Sequence, residues 1–304
     1  MMTKDFYSNG KLLLTGEYAI LDGAKGLALP TKFGQSLKLR NKNTETIHWF
    51  GVDENDDTWF YAEFSKVDFK TVTTTDEATS DRLKQILTET KRLNPNFLST
   101  ISENSIIETK VTFPMNWGLG TSSTLIANMA TWAGVNPYQL LEATFGGSGY
   151  DIACATHNSA ITYQRNNYEP LVEEANFNPS FKDELFFVYL NQKKNSRDAI
   201  SNYRSLDVNK EELITKIDVI TENIQKCTTI VEFEILLNEH EAILSETLQI
   251  SSIKESLFPD YPRTIKSLGA WGGDFILATG TEENMLYFKN KGYETILPYS
   301  KMIL

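Results

Sequence analysis

The stretch "PMNWGLGTSSTLIANMATWAG", residues 114–134, joins a strand-like "SIIETKVTF" (105–113) to an apolar helical pattern through glycines and small hydroxyl residues. A strand, a glycine turn and a helix in succession leave the first helical N–H groups without intrahelical partners, with the positive end of the helix dipole behind them. Phosphate is the natural guest of such a terminus. Gly118 and Gly120 let phosphate oxygens approach the backbone, and Leu119 lies between them. Thr121, Ser122 and Ser123 can cap the helix, donate to phosphate or ligate magnesium. Two nucleotide motifs are excluded, because Ser123 replaces the third glycine of G-x-G-x-x-G and no G-x-x-x-x-G-K-[ST] occurs. A merely well-capped helix after a glycine turn stays open as the plain alternative.

The rest of the chain sets bounds on what that loop can serve. At 304 residues, with 41% hydrophobic and 12% aromatic content, the chain can bury a sizeable core in one large or two moderate domains. A net charge of −11 argues against nucleic acid, whose binding needs clustered Lys and Arg, but leaves room for a small anion at a helix N-terminus. Cys154 and Cys227 have no metal-type spacing, and His48, His157 and His240 are scattered, so neither zinc nor a disulfide framework is suggested. No apolar run approaches a membrane span, and "MMTKDFYSNG" lacks a signal core, so a cytoplasmic protein is expected.

Periodicity predicts an α+β chain. "KLLLTGEYAIL" reads as an early strand pair with a glycine turn, and "ETIHWFGVDENDDTWFYAEF" as a hairpin with a solvated acidic tip. "DRLKQILTETKRL", "NPYQLLEATF" and residues 210–248 have helical spacing, whereas "ELFFVYLN" and "DFILATG" read as buried strands. The Pro- and Asn-rich "NNYEPLVEEANFNPSFKD" (166–183) is the best linker candidate, dividing the chain into 1–165 and 166–304.

Three further constellations accompany the loop. In "GGSGYDIACA" (146–155), Asp151 follows a glycine and serine turn and opens an apolar helix-compatible run. There it could orient or deprotonate a hydroxyl, or simply act as an N-cap. In "NGKLLLTGEYAILDG" (9–23), Lys11 opens a strand and could offset charge on a transferring phosphoryl group. "SLGAWGGDFILATG" (267–280) is a second glycine-rich turn feeding a strand.

In this order the segments resemble the three motifs of the GHMP kinase superfamily. "NGKLLLTGEYAILDG" is similar to P-G-K-x-x-L-x-G-E-[HY]-A-V-x-x-G, "PMNWGLGTSST" to P-x-x-x-G-L-G-S-S-A, and "GAWGGD" to G-A-G-G-G. The resemblance spans residues 9–280 and implies a two-domain fold: an N-terminal α/β domain with the phosphate loop and a C-terminal ferredoxin-like domain. It implies ATP and Mg2+ as cofactors, Asp151 and Lys11 as catalytic residues, and 118–123 as the nucleotide loop. Ser122 would ligate the metal, with Glu142 the nearest candidate for the accompanying carboxylate. Glu17, Tyr18, Ser148, Gly149, Gly272, Gly273 and Asp274 would touch the acceptor. Asn9 stands in place of Pro, Thr121 of Ser and Ser123 of Ala, and Trp271 interrupts the third motif where bare backbone usually approaches the ligand.

Within the superfamily, "GGSGYDIACATHNSAITYQR", Tyr18 and Asp274 resemble phosphomevalonate kinases more than mevalonate kinases, as does "QKKNSRDAI" (192–200). Lys194, Ser196 and Arg197 would then hold an anionic acceptor, the planar guanidinium suiting carboxylate or phosphate, although a polar helix start on the surface is equally compatible. The expected activity is ATP-dependent phosphorylation of a small isoprenoid precursor, phosphomevalonate ahead of mevalonate, by a protein free of nucleic acid and membrane and compatible with a homodimer. A diphosphomevalonate decarboxylase or a non-catalytic sensor on the same fold are the alternatives.

Overall fold

The structure, a computed structural model, describes residues 4–41, 44–98, 105–192, 196–271 and 273–304, with backbone alone at 196 and 197. The chain forms two compact units. The first comprises Met1–Gly10, Phe33–Met115 and Leu119–Thr156, the second Lys11–Lys32, Asn116–Gly118 and His157–Leu304. Each unit is thus assembled from several segments, whereas the sequence reading placed one boundary between 165 and 166. Two long strands, β1 (Lys4–Thr15) and β2 (Gly26–Arg40), pair with each other and contribute to both units.

The first unit continues with β3 (Thr46–Val52), β4 (Thr58–Ser65), β5 (Thr71–Thr74), α1 (Glu77–Leu93), β6 (Ile106–Val111), α2 (Thr121–Ala133), α3 (Pro137–Thr144) and α4 (Tyr150–Ala155). Its strands run in the order β5-β4-β3-β6-β2, with β3 and β6 parallel and the other pairs antiparallel. The β3–β4 hairpin forms as expected, and its acidic tip is a turn in which the Asp53 carboxylate accepts from the N–H groups of Asn55 and Asp57, both at 2.9 Å. Alternate residues of the hairpin (Ile47, Trp49, Phe60, Ala62, Phe64) face the core, as a period of two requires. Against them pack Leu83, Ile86 and Leu87 of α1 and Ile126, Met129 and Ala130 of α2.

The second unit opens with a correction. After β1 the "GEYAILDG" segment forms a turn and one 3-10 turn, Ala19–Asp22, instead of a second strand. Gly16, Tyr18 and Gly23 all take positive φ, a conformation that ends a strand. Then come β7 (Ile161–Gln164), β8 (Leu171–Glu174), β9 (Leu185–Tyr189), α5 (Ser196–Arg204), α6 (Lys210–Ile224), α7 (Ile230–Leu248), α8 (Ile253–Leu257), β10 (Ile265–Ser267), β11 (Phe275–Thr279), α9 (Leu286–Asn290), β12 (Ile296–Pro298) and α10 (Tyr299–Met302). The segment expected to be a linker contains β8, which pairs with β7 and carries mostly exposed side chains, so it shows no apolar alternation. The helical region 210–248 is two helices, because Thr229 and Glu232 form a reciprocal capping box that starts α7 afresh. An antiparallel sheet, β10-β11-β9-β12, buries Phe186, Val188, Ile276 and Ala278 against Phe258 and Phe288.

Candidate active site

The glycine loop meets α2 as its sequence demands. Gly120 is the N-cap, in the left-handed region at φ 96°, and has no side chain to cap the first-turn N–H groups. No side chain caps the start of α2. The hydroxyls divide by direction: Ser123 is buried and donates to the Gly120 carbonyl at 2.9 Å, whereas Ser122 is exposed and Thr121 half-buried. Thr124, which the sequence did not single out, locks the helix start by donating to Gln35 Oε1 at 2.8 Å. Leu119 is fully buried and anchors the loop.

Thr121 and Ser122 line a cavity of about 330 Å³ in the first unit, whose other walls include Trp49, Trp59, Phe60 and Phe145. An aromatic cavity beside an uncapped helix N-terminus suits a ligand with a planar ring at one end and an anion at the other. The motif reading missed the cavity walls, because they come from the hairpin and the end of α3, outside any glycine motif.

Asp151 is the second residue of α4, not its N-cap, which is Gly149. Its carboxylate is half-buried, with Oδ1 3.1 Å from the N–H of Ile152. Burial pushes the Tyr138 phenol up to about 12, with the Asp151 carboxylate and Cys154 adding to it. Ser148 is half-buried and Gly149 buried in the turn before Asp151. Glu142 is exposed on α3. Among the described residues no three His, Cys, Asp or Glu side chains converge as a metal cage. Ser122 and Glu142, both exposed, carry oxygens of the kind a Mg2+ takes beside phosphate and water ligands.

In the second unit, residues from all three motifs meet at one glycine. Lys11 Nζ donates to the Gly118 carbonyl at 3.2 Å, and the Asp274 carboxylate packs against the Gly118 α-carbon, where any Cβ would collide with it. Gly118 is at φ 67° and Asp274 at φ 56°. Tyr189 donates to the Asn116 carbonyl at 3.2 Å, and Trp117 stacks edge-on against Phe275 at 5.4 Å. Gly273 is buried beside this contact.

Other predicted acceptor residues turn inward. Glu17 is 1% exposed, and its Oε1 accepts from Lys266 Nζ at 2.6 Å. Glu241 shares the same ammonium at 3.1 Å, and His240 Nε2, which accepts from the Gly16 N–H at 3.1 Å, lies 3.4 Å from Glu17 Oε2. Burial alone would push Lys266 down, but the two carboxylates outweigh it and hold the ammonium above the ordinary lysine range. The Tyr18 hydroxyl donates to the Ala270 carbonyl at 3.0 Å. Trp271, 2% exposed, packs with Tyr18, Tyr203, Leu213 and Leu244, so the indole expected against the ligand is part of a core. Lys194 and Gly272 lie outside the described residues. Ser196 and Arg197 begin α5.

No protein-family model matches the chain, and no curated protein matches it. Solved structures do. The chain is similar to the mevalonate kinase of Methanococcus jannaschii at 15% identity and a TM-score of 0.69, covering 97% of each chain. It is similar to the phosphomevalonate kinase of Streptococcus pneumoniae in complex with phosphomevalonate and AMPPNP (14%, 0.66, covering 97% of this chain and 99% of that one). Galactose-complexed galactokinase from Lactococcus lactis also matches (14%, 0.66, covering 97% and 92%). The chain has the α+β fold of the GHMP kinases over nearly its whole length. No helix among the described residues is long and apolar enough to cross a membrane.

Proposed function

We propose that this protein is an ATP-dependent kinase that transfers the γ-phosphoryl group to the hydroxyl of a small acceptor. The observation that carries the reading is the aromatic cavity with Thr121 and Ser122 of the uncapped α2 N-terminus on its wall, in a fold shared with small-molecule kinases. The ring of the nucleotide takes the aromatic end, and the first-turn N–H groups of α2 face its phosphates. Asp151 accepts the acceptor proton, and Lys11 offsets charge on the transferring group. Ser122 and Glu142 would hold a Mg2+, which when bound neutralises charge on the phosphate oxygens.

The acceptor is a small isoprenoid precursor, with phosphomevalonate ahead of mevalonate. The reading rests on the likeness of "GSGYDIA" and "QKKNSRDAI" to phosphomevalonate kinases, and on Lys194 and Arg197 as cations for a doubly anionic acceptor. The test is ADP formation by the purified protein with mevalonate, phosphomevalonate, galactose and homoserine in turn. Turnover with phosphomevalonate is expected to dominate. Carbon dioxide released with ADP would make the protein a lyase, and ATP binding with no turnover on any acceptor would make it a sensor.

A further inference from the structure

Trp59 is 43% exposed, an unusual setting for an indole in a protein with room for others in its core. It is placed there by design of the backbone. In the β3–β4 hairpin Val52 pairs with Thr58 and Gly51 with Phe60, so Trp59 is the extra residue of a β-bulge. Bulges re-aim a side chain relative to its neighbours. The indole comes to rest on Gly51, where a Cβ would lie 3.0 Å from both Cε2 and Nε1. A glycine in a strand interior, a bulge and an exposed indole together form one wall of the cavity that Thr121 and Ser122 also line.

Three of the hydrogen-bonding side chains around that cavity, Gln35, Thr109 and Arg82, are engaged with the protein. Gln35 Oε1 accepts from Thr124, and Thr109 accepts from Trp49 Nε1 and donates to the Phe50 carbonyl, both at 3.3 Å. Arg82 donates to Gln85 and to the Thr144 carbonyl, and its guanidinium lies 4.9 Å from the centre of the Phe145 ring. A ring entering the cavity is offered faces to stack on, while Gln35, Thr109 and Arg82 already bond to the protein.

We propose that Trp59, held by Gly51 and the bulge, is the stacking platform for the base of the donor nucleotide, and that the pocket takes a nucleoside triphosphate by ring face with little choice between adenine and guanine. This rests on the kinase reading above. Stacking on an aromatic side chain tolerates any base because every base has a π-face.

The experiment is calorimetric titration of wild type, Trp59→Ala and Trp59→Phe with Mg-ATP, Mg-GTP and Mg-tripolyphosphate, which has phosphates but no base. Wild type is expected to bind ATP and GTP within about tenfold of each other, Trp59→Ala to weaken both by about tenfold or more, and Trp59→Phe to stay within about threefold of wild type. Tripolyphosphate affinity is expected to be the same in all three, which a general loss of structure would not give. ATP affinity unchanged in Trp59→Ala, or a preference for ATP over GTP of about a thousandfold, would overturn the proposal and leave the kinase reading standing. Wild type binding none of the three would instead overturn the kinase reading, and the proposal with it.

Discussion

Glu17 and Glu241 face a single ammonium, that of Lys266, in a site closed to water, which leaves one negative charge in surplus. His240 cannot absorb it, since burial first and Lys266 second push its pKa well below the ordinary imidazole value. The proton goes to Glu17, whose pKa burial raises to about 7 against the pull of Lys266. An unfolded chain releases that proton near 4.5, so the stabilising contribution is complete below 4.5 and disappears as pH rises through about 7. The size of the effect is on the order of 3 kcal/mol. Thermal unfolding measured across this range is expected to show wild type losing stability with rising pH and Glu17→Gln losing less. Parallel curves for the two proteins would remove Glu17 as the titrating group. At Asp151, replacement by Asn keeps the size of the side chain but not its basicity. Turnover should fall about 10²- to 10⁴-fold while ATP affinity is retained, and a rate within a few-fold of wild type would take the base role away from this residue.

The element that most needs its surroundings is the loop into α2. Gly118 is fixed from two sides, by Lys11 on its carbonyl and by the Asp274 carboxylate on its α-carbon. Alanine there adds a left-handed backbone cost of about 1–2 kcal/mol to a collision with Asp274. Gly118→Ala is expected to lower both the urea midpoint and ATP affinity. Adding Asp274→Ala should recover the part due to collision and leave the backbone part, so a double mutant no better than the single would show that the two positions are not coupled. The helices report how legible elements were. The apolar face of α1 repeats within each turn and was readable, as were β9 and β11, whose runs are apolar throughout. β8 was not, because a short strand with exposed side chains leaves no periodic trace and is defined by its pairing with β7.

At the scale of the whole molecule the acceptor is a question of charge. Phosphomevalonate carries anions at two ends, and the run "KKNSR" places three cations within five residues of a chain whose net charge is −11. kcat/KM is expected to be higher for phosphomevalonate than for mevalonate, and Arg197→Ala to narrow the gap by about 1–3 kcal/mol, the worth of a charge-assisted hydrogen bond. Side-by-side kinetics with both acceptors decide it. Mevalonate as the better substrate, or an equal effect of the substitution on both, would sink the assignment to phosphomevalonate but not the kinase reading.

By itself the sequence determined the local grammar: the strand, glycine loop and helix at 105–134, the hairpin at 45–64, and the three ordered motifs that point to the GHMP kinase fold. These are legible because turn chemistry and periodicity act over a few neighbouring residues. Only the tertiary structure decided which motif residues face inward. It sent Glu17 to Lys266, 249 positions away, turned Trp271 into a core with Tyr18, brought Lys11 to Gly118 across 107 positions, and set Trp59 on Gly51 beside the α2 terminus. Burial and pairing of this kind belong to groups that meet only when the chain is folded, and no local spacing encodes them.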